Sequence, residues 1–169
     1  MSELIAFDEE MANEESRMPS RNHSFLMGRI TGLLFNEERF TVMPGLSLDT
    51  SQVDLSQFDI KAKDELIPDI SLYPNEVGLG GPLDELKMKE MPLSVIEILS
   101  PRQSMNDIIA KFHAYFALGI KSCWLIMPAI KSITVYLKLS QHKTFHLNDN
   151  EVVDEVIDIR LPMPKIFGK

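Results

Sequence analysis

The chain has one cysteine, Cys123, in 169 residues. That excludes an internal disulfide and any multi-cysteine zinc site. It lacks the run of roughly 18 apolar residues that a membrane-spanning helix needs. There is no Gly-rich phosphate loop and no nucleophile elbow, the most readable signs of nucleotide-binding and Ser-hydrolase chemistry. No internal repeat or low-complexity tract occurs. The first ten residues carry no basic cluster and no long apolar stretch, so no secretory signal is read there, and the expectation is a cytoplasmic protein. Positive charge is also scarce, with 17 Lys and Arg against 25 Asp and Glu and a formal net charge of −8. On its face this disfavours a nucleic-acid partner, since phosphate contacts rest on Lys and Arg.

What is present is an ordinary globular composition, 44% hydrophobic and 25% charged. It suits one domain with a full core and is too short for two of usual size. The charge is unevenly spread. Residues 1–100 hold 8 basic and 19 acidic side chains, whereas residues 101–143 hold Arg102, Lys111, Lys121, Lys131, Lys138 and Lys143 against Asp107 alone. Two readings of that basic segment stand: lysines that solubilise strand edges, or a face turned toward a polyanion.

Residues 1–20 show no apolar periodicity and read as an irregular N-terminal arm, leaving 21–169 as a single domain. Asn22-His23-Ser24 offers capping chemistry ahead of Phe25, Leu26, Ile30, Leu33 and Leu34, spaced as one helix face. Within that helix, Gly28 and Gly32 suggest close packing. Strands are expected at 40–43 and 67–73, with one more near Leu46 and Leu48. Leu93–Leu99 is apolar throughout and reads as a central strand covered on both faces. Residues 74–92 form a long connection that a short helix at 83–88 would fill. A helix follows over 104–118, with Met105, Ile108, Ile109, Phe112 and Phe116 as its buried stripe and Gly119 as its stop. Strands at 122–127 and 133–139 come next, then edge strands near Phe145 and over 152–159. The unit spanning 93–127 requires a right-handed crossover and a parallel strand pair. The fold class expected is α/β, a mixed sheet with helices on both faces.

Two carboxylates occupy apolar strands: Asp69 in 67–73 and Glu97 in Val-Ile-Glu-Ile-Leu. A buried, unpaired carboxylate costs several kcal/mol, so each needs a cation, a proton or strong hydrogen bonds. If the strands are neighbours, about 4.8 Å apart, both can reach one dication, and oxygen-only ligands favour Mg²⁺ or Mn²⁺ over zinc. Lys111 falls at the margin of the helix stripe. Either it presents its ammonium near Glu97, where it would steady a water and the charge on a phosphate, or it forms an ordinary i,i+4 pair with Asp107. The ten methionines read as filler, and His113, His142 and His146 have no metal-ligand spacing.

Taken in order, Pro68-Asp69, Glu97-Ile-Leu-Ser-Pro, Lys111 with Tyr115 and Gly119, and Trp124 resemble the "putative restriction endonuclease" family of the PD-(D/E)XK nuclease superfamily. The resemblance runs from about His23 to the C-terminus. It implies a restriction-endonuclease-like core and a Mg²⁺- or Mn²⁺-dependent endonuclease that hydrolyses phosphodiester bonds of nucleic acid, DNA foremost. Asp69 and Glu97 would be metal ligands and Lys111 the catalytic lysine, supplied by the helix rather than from two residues after the glutamate, where this chain has Leu99. His23, Ser100, Asp107 and Tyr115 would support the site, Arg102 and Lys121 would contact the nucleic-acid backbone, and a homodimer is implied. Relatives carry a Glu-bearing hairpin before the first helix, for which Glu14 or Glu15 would have to serve here. They also carry an aspartate before the proline where this chain has Met127-Pro128. Those departures keep a second reading open, a catalytically inactive nuclease-fold protein acting as a binding or interaction module.

Overall fold

The computed structural model describes residues 19–168. Most of the expected arm, Glu14 and Glu15 included, lies outside the described residues. Helix α1 spans Arg21–Phe35 and is capped by Ser20, whose hydroxyl accepts from the His23 backbone N–H at 3.2 Å. The cap therefore stands just before the Asn22–Ser24 segment expected to supply it, and His23 falls in the first helical turn. Strands β1 (Phe40–Pro44), β2 (Leu48–Asp49), β3 (Glu65–Leu66), β4 (Ile70–Pro74) and β5 (Ser94–Ile98) follow. Helix α2 spans Met105–Ala117. Beyond it come β6 (Ser122–Met127), β7 (Ser132–Lys138), β8 (Gln141–Phe145), β9 (Glu151–Asp154), β10 (Ile159–Pro162) and the short α3 (Met163–Phe167).

Six strands form one mixed sheet in the order β1-β4-β5-β6-β7-β8. Only β5 and β6 run parallel, with Glu97 opposite Leu125, as the strand–helix–strand unit requires. Strand β5, buried along its whole length, lies inside the sheet. Because side chains alternate across the pleat, the sheet has two apolar faces. Leu26, Ile30 and Leu34 of α1 cover Ile70, Leu72, Ile96, Ile98 and Trp124 on one side. On the other, Ile108, Phe112 and Tyr115 of α2 cover Val95, Cys123, Leu125 and Tyr136. The result is the expected α/β sandwich, a mixed sheet flanked by helices.

Four local expectations are corrected. Residues 83–88 form no helix; Met88 instead bridges Leu48, and Leu79, Leu83 and Leu86 stand almost fully exposed. Gly28 and Gly32 face open space, so they mark no close packing. The last expected strand region becomes β9 and β10, a separate two-stranded ribbon rather than edges of the main sheet. The fourth concerns α2, whose buried residues are Ile108, Phe112, Ala114 and Tyr115, while Met105 is 46% exposed. The buried arc is thus rotated from the expected one, and Lys111 lies within it, between Ala114 and Tyr115 around the helix.

Candidate active site

The site is built at the carboxyl ends of the parallel pair β5 and β6, the usual position for ligands on α/β sheets. Glu97 is the fourth residue of β5 and points to the α2 face. Asp69 precedes β4, whose antiparallel register with β5 pairs Ile70 with Ile96. One step further along, Asp69 lies beside Glu97 and Ile98, and its Oδ2 accepts the Ile98 backbone N–H at 2.7 Å. The Asp69 carbonyl in turn accepts from the Gly45 N–H at 3.0 Å. Gly45 adopts φ +67°, which a glycine takes without strain, so the chain turns off β1 while still bonded to the site.

Glu97 is 2% exposed. Its Oε1 accepts the Tyr115 hydroxyl at 2.8 Å, and its Oε2 lies 4.0 Å from the Lys111 ammonium. Tyr115 and Lys111 are one helical turn apart on α2, so a single helix face holds the carboxylate by both oxygens. The α2 start is held by a capping box: the Ser104 hydroxyl accepts from the Asp107 N–H, and the Asp107 carboxylate accepts from the Ser104 N–H. At the other end, Gly119 at φ +93° ends the helix.

Burial is the main cause raising the Glu97 pKa, to about 7; Lys111 pulls it down, the Asp69 charge pushes it up, and the Tyr115 hydrogen bond and His23 pull it down. At neutral pH the group is poised between its charged and neutral forms. His23 reaches across from α1 with Nε2 3.0 Å from Asp69 Oδ1. That hydrogen bond is the leading cause raising the His23 pKa; burial opposes it, and the Asp69 and Glu97 charges assist. The Tyr115 hydroxyl is pushed well up by burial and then by the neighbouring Glu97 charge, so it stays a donor.

These groups open into a cleft of ≈ 700 Å³ lined by His23, Asp69, Glu97, Ser100, Arg102 and Lys111. Six of the expected site residues are therefore brought together, with Tyr115 behind Glu97. Asp107 is not among the lining residues; it is spent on the Ser104 cap. Lys121 stands exposed just before β6, four residues or about 13 Å of strand from Leu125, the partner of Glu97. Glu65 and Gln103 also line the cleft and were missed. Glu65 pairs with Lys87 at 3.5 Å, and Gln103 Oε1 accepts from the Ser100 N–H and hydroxyl, both at 3.3 Å. The signal for Glu65 was thin, a half-buried glutamate four residues before Asp69.

The donor set suits a hard dication. Asp69 and Glu97 offer only oxygens, from β5 and the residue just before β4, and Lys111 at 4.0 Å leaves the buried Glu97 charge incompletely balanced. Among the described residues no group of three or more His, Cys, Asp or Glu side chains is arranged around one point, so these two carboxylates would share such an ion with water. Mg²⁺ tolerates that arrangement, as it usually keeps several waters. Among the described residues no helix is long and apolar enough to cross a membrane.

Comparison with known proteins gives a family and a fold. The model of a family, Uma2, described as "Putative restriction endonuclease", matches residues 8–164. Among solved structures, a putative nuclease from Anabaena variabilis is 21% identical with a TM-score of 0.66, the match covering 89% of this chain and 82% of that one. That likeness is one of fold. No curated protein matches the chain.

Proposed function

Since the chain belongs to the Uma2 family of "Putative restriction endonuclease" proteins and so has a nuclease-type function, we propose that it is an endonuclease that hydrolyses phosphodiester bonds of nucleic acid, DNA foremost, with Mg²⁺ or Mn²⁺ held by Asp69 and Glu97. The observation that carries this reading is the meeting, in one cleft, of a carboxylate in β5 and one just ahead of the neighbouring β4 with a lysine 4.0 Å from the first. When bound, the dication supplies Lewis acidity toward the phosphoryl oxygens.

The chain's own groups do the rest. Lys111, whose side chain is 24% exposed, offers hydrogens to an incoming water or to a phosphate oxygen gaining charge. Its partial burial strengthens that interaction relative to bulk water. Tyr115 fixes the Glu97 carboxylate, and the Ile98 N–H and His23 fix that of Asp69, so both face the cleft in a preset orientation. Arg102, on the cleft wall, suits a backbone phosphate beside the scissile one.

The test is cleavage of plasmid and oligonucleotide DNA with Mg²⁺ or Mn²⁺. Wild type cuts, and Asp69→Ala and Glu97→Ala lose at least about 10²-fold, the loss typical of removing a principal electrostatic group. Equal cleavage by all three would overturn the assignment. One observation favours a second reading, a non-catalytic binding module: His23 already occupies Asp69 Oδ1. Calorimetric titration with Mg²⁺ separates the two, since a folded chain that takes up no cation near neutral pH fits only the binding module. The leading reading also carries a cytoplasmic homodimer organised as one domain over 21–169, and sedimentation tests its pairing.

A further inference from the structure

Beside the cleft lies a second pocket of ≈ 450 Å³, inside the size range of small-molecule sites. Its walls are Leu99 and Pro101 after β5, and Met127 at the end of β6 with Pro128 after it, and Asn22 and Arg21 of α1 stand at its edge. Ser100 lines both cavities, and Pro19 of the cleft adjoins Ser20 of the pocket, so the two are contiguous. Leu99 follows Glu97 by two residues, about 6.6 Å along extended chain. A phosphate held at Asp69 and Glu97 therefore places its own nucleoside within reach of the pocket.

The linings differ in kind. The cleft holds three carboxylates, Glu65, Asp69 and Glu97. Among the described residues no carboxylate lines the pocket, and the charged side chain at its edge is Arg21. Two prolines, a leucine and a methionine make flat or adaptable apolar walls, suited to the face of an aromatic ring. The Asn22 amide supplies a donor and an acceptor on one edge, the pairing an unpaired base edge offers in return. Sugar and phosphate would find few partners on those walls.

We propose that this pocket receives an unpaired nucleobase adjoining the scissile phosphate, so that the substrate is single-stranded or carries an extruded nucleotide at the cleavage point. The inference rests on the nucleic-acid reading above and sharpens it. A base paired in a duplex has both faces stacked and its Watson–Crick edge occupied, so it enters such a pocket only after leaving the helix.

The test reads binding, not turnover. Fluorescence anisotropy of the full-length chain in metal-free, low-salt buffer compares a labelled short single-stranded DNA, its blunt duplex, and the same strand with abasic nucleotides across its centre. The single strand binds more tightly than either comparator by roughly fivefold to a hundredfold, the range for losing one stacked base. Ala129→Trp, which fills the pocket from an exposed position, removes that preference and leaves duplex binding unchanged. Asn22→Ala weakens single-strand binding while the thermal unfolding midpoint stays in place, and decides the matter if the tryptophan variant does not fold. Equal affinity for all three DNAs, or a preference untouched by both variants, overturns the proposal. Single-strand preference without metal-dependent cleavage would remove the nuclease reading and leave the pocket standing; cleavage without that preference does the reverse.

Discussion

Glu97 carries an energetic cost that the strand around it does not offset. Its pKa is raised from 4.5 to about 7, chiefly by burial, so between those values the folded chain binds more protons than the unfolded one. Stability therefore falls as pH rises through that window and levels off above about pH 7. Glu97→Gln keeps an oxygen for Tyr115 and removes the charge. In metal-free urea denaturation it should be more stable than wild type at pH 8 by on the order of 2–3 kcal/mol, and equal to it at pH 4. Added Mg²⁺ should reverse the order at pH 8, since only the wild type gains from binding the cation. No gain at pH 8 would mean the carboxylate is already neutralised by the protein. The same cost explains why Glu97 was legible from sequence. A lone acid inside Val-Ile-Glu-Ile-Leu contradicts the burial around it, and such contradictions mark sites. Glu65 and Gln103 went unseen because half-buried polar residues in a two-residue strand and a turn contradict nothing.

Among the elements, the ribbon of β9 and β10 depends on one further buried carboxylate. Asp154 accepts from the Ser122 hydroxyl at 2.5 Å and Trp124 Nε1 at 2.8 Å through Oδ2, and from the Val156 N–H at 3.0 Å through Oδ1. Ser122 and Trp124 belong to β6, so this side chain ties the ribbon to the central sheet. Asp154→Ala leaves several buried donors without an acceptor, and should lower unfolding free energy by about 3–5 kcal/mol, read from the urea midpoint. Asp154→Asn, which keeps one acceptor oxygen, should lose less. Nothing in the sequence pattern separated this aspartate from the polar residues around it, because its partners lie some thirty positions away. Strand β5 and helix α2, by contrast, were legible, since apolar runs and caps are local signals. The rotation of the α2 stripe was not. Met105 fits the apolar period, but as the first helical residue it is left outside the sheet's cover, and the arc centres on Ile108, Phe112 and Tyr115.

At the scale of the molecule, net acidity and a polyanionic partner coexist because the charges occupy different places. Of the cations in the basic segment 101–143, only Arg102 and Lys111 line the cleft. A footprint of two or three phosphates follows, and with it a shallow salt dependence, a slope near −2 or less for log affinity of single-stranded DNA against log salt. Arg102→Ala should lower that slope by about 0.7 at every sequence tested, whereas Lys121→Ala should leave it unchanged. A slope of −5 would require a larger contact surface than this cleft supplies.

The two carboxylate strands are joined not by a tight turn but by residues 75–93, which run past the sheet, return to bridge Leu48 through Met88, and leave three leucines in solvent. Turn geometry therefore does not set the alignment of Asp69 with Glu97. The pairing of Ile70, Ser71 and Leu72 with Ile96, Val95 and Ser94 sets it instead. Distance along the chain and distance in space are uncoupled here. Residues can be inserted or removed between Gly78 and Leu86 without moving either acid, so this stretch is open to lengthening, cutting or rejoining over evolutionary time. A single residue added within β5 would turn Glu97 toward α1 and erase the site at once.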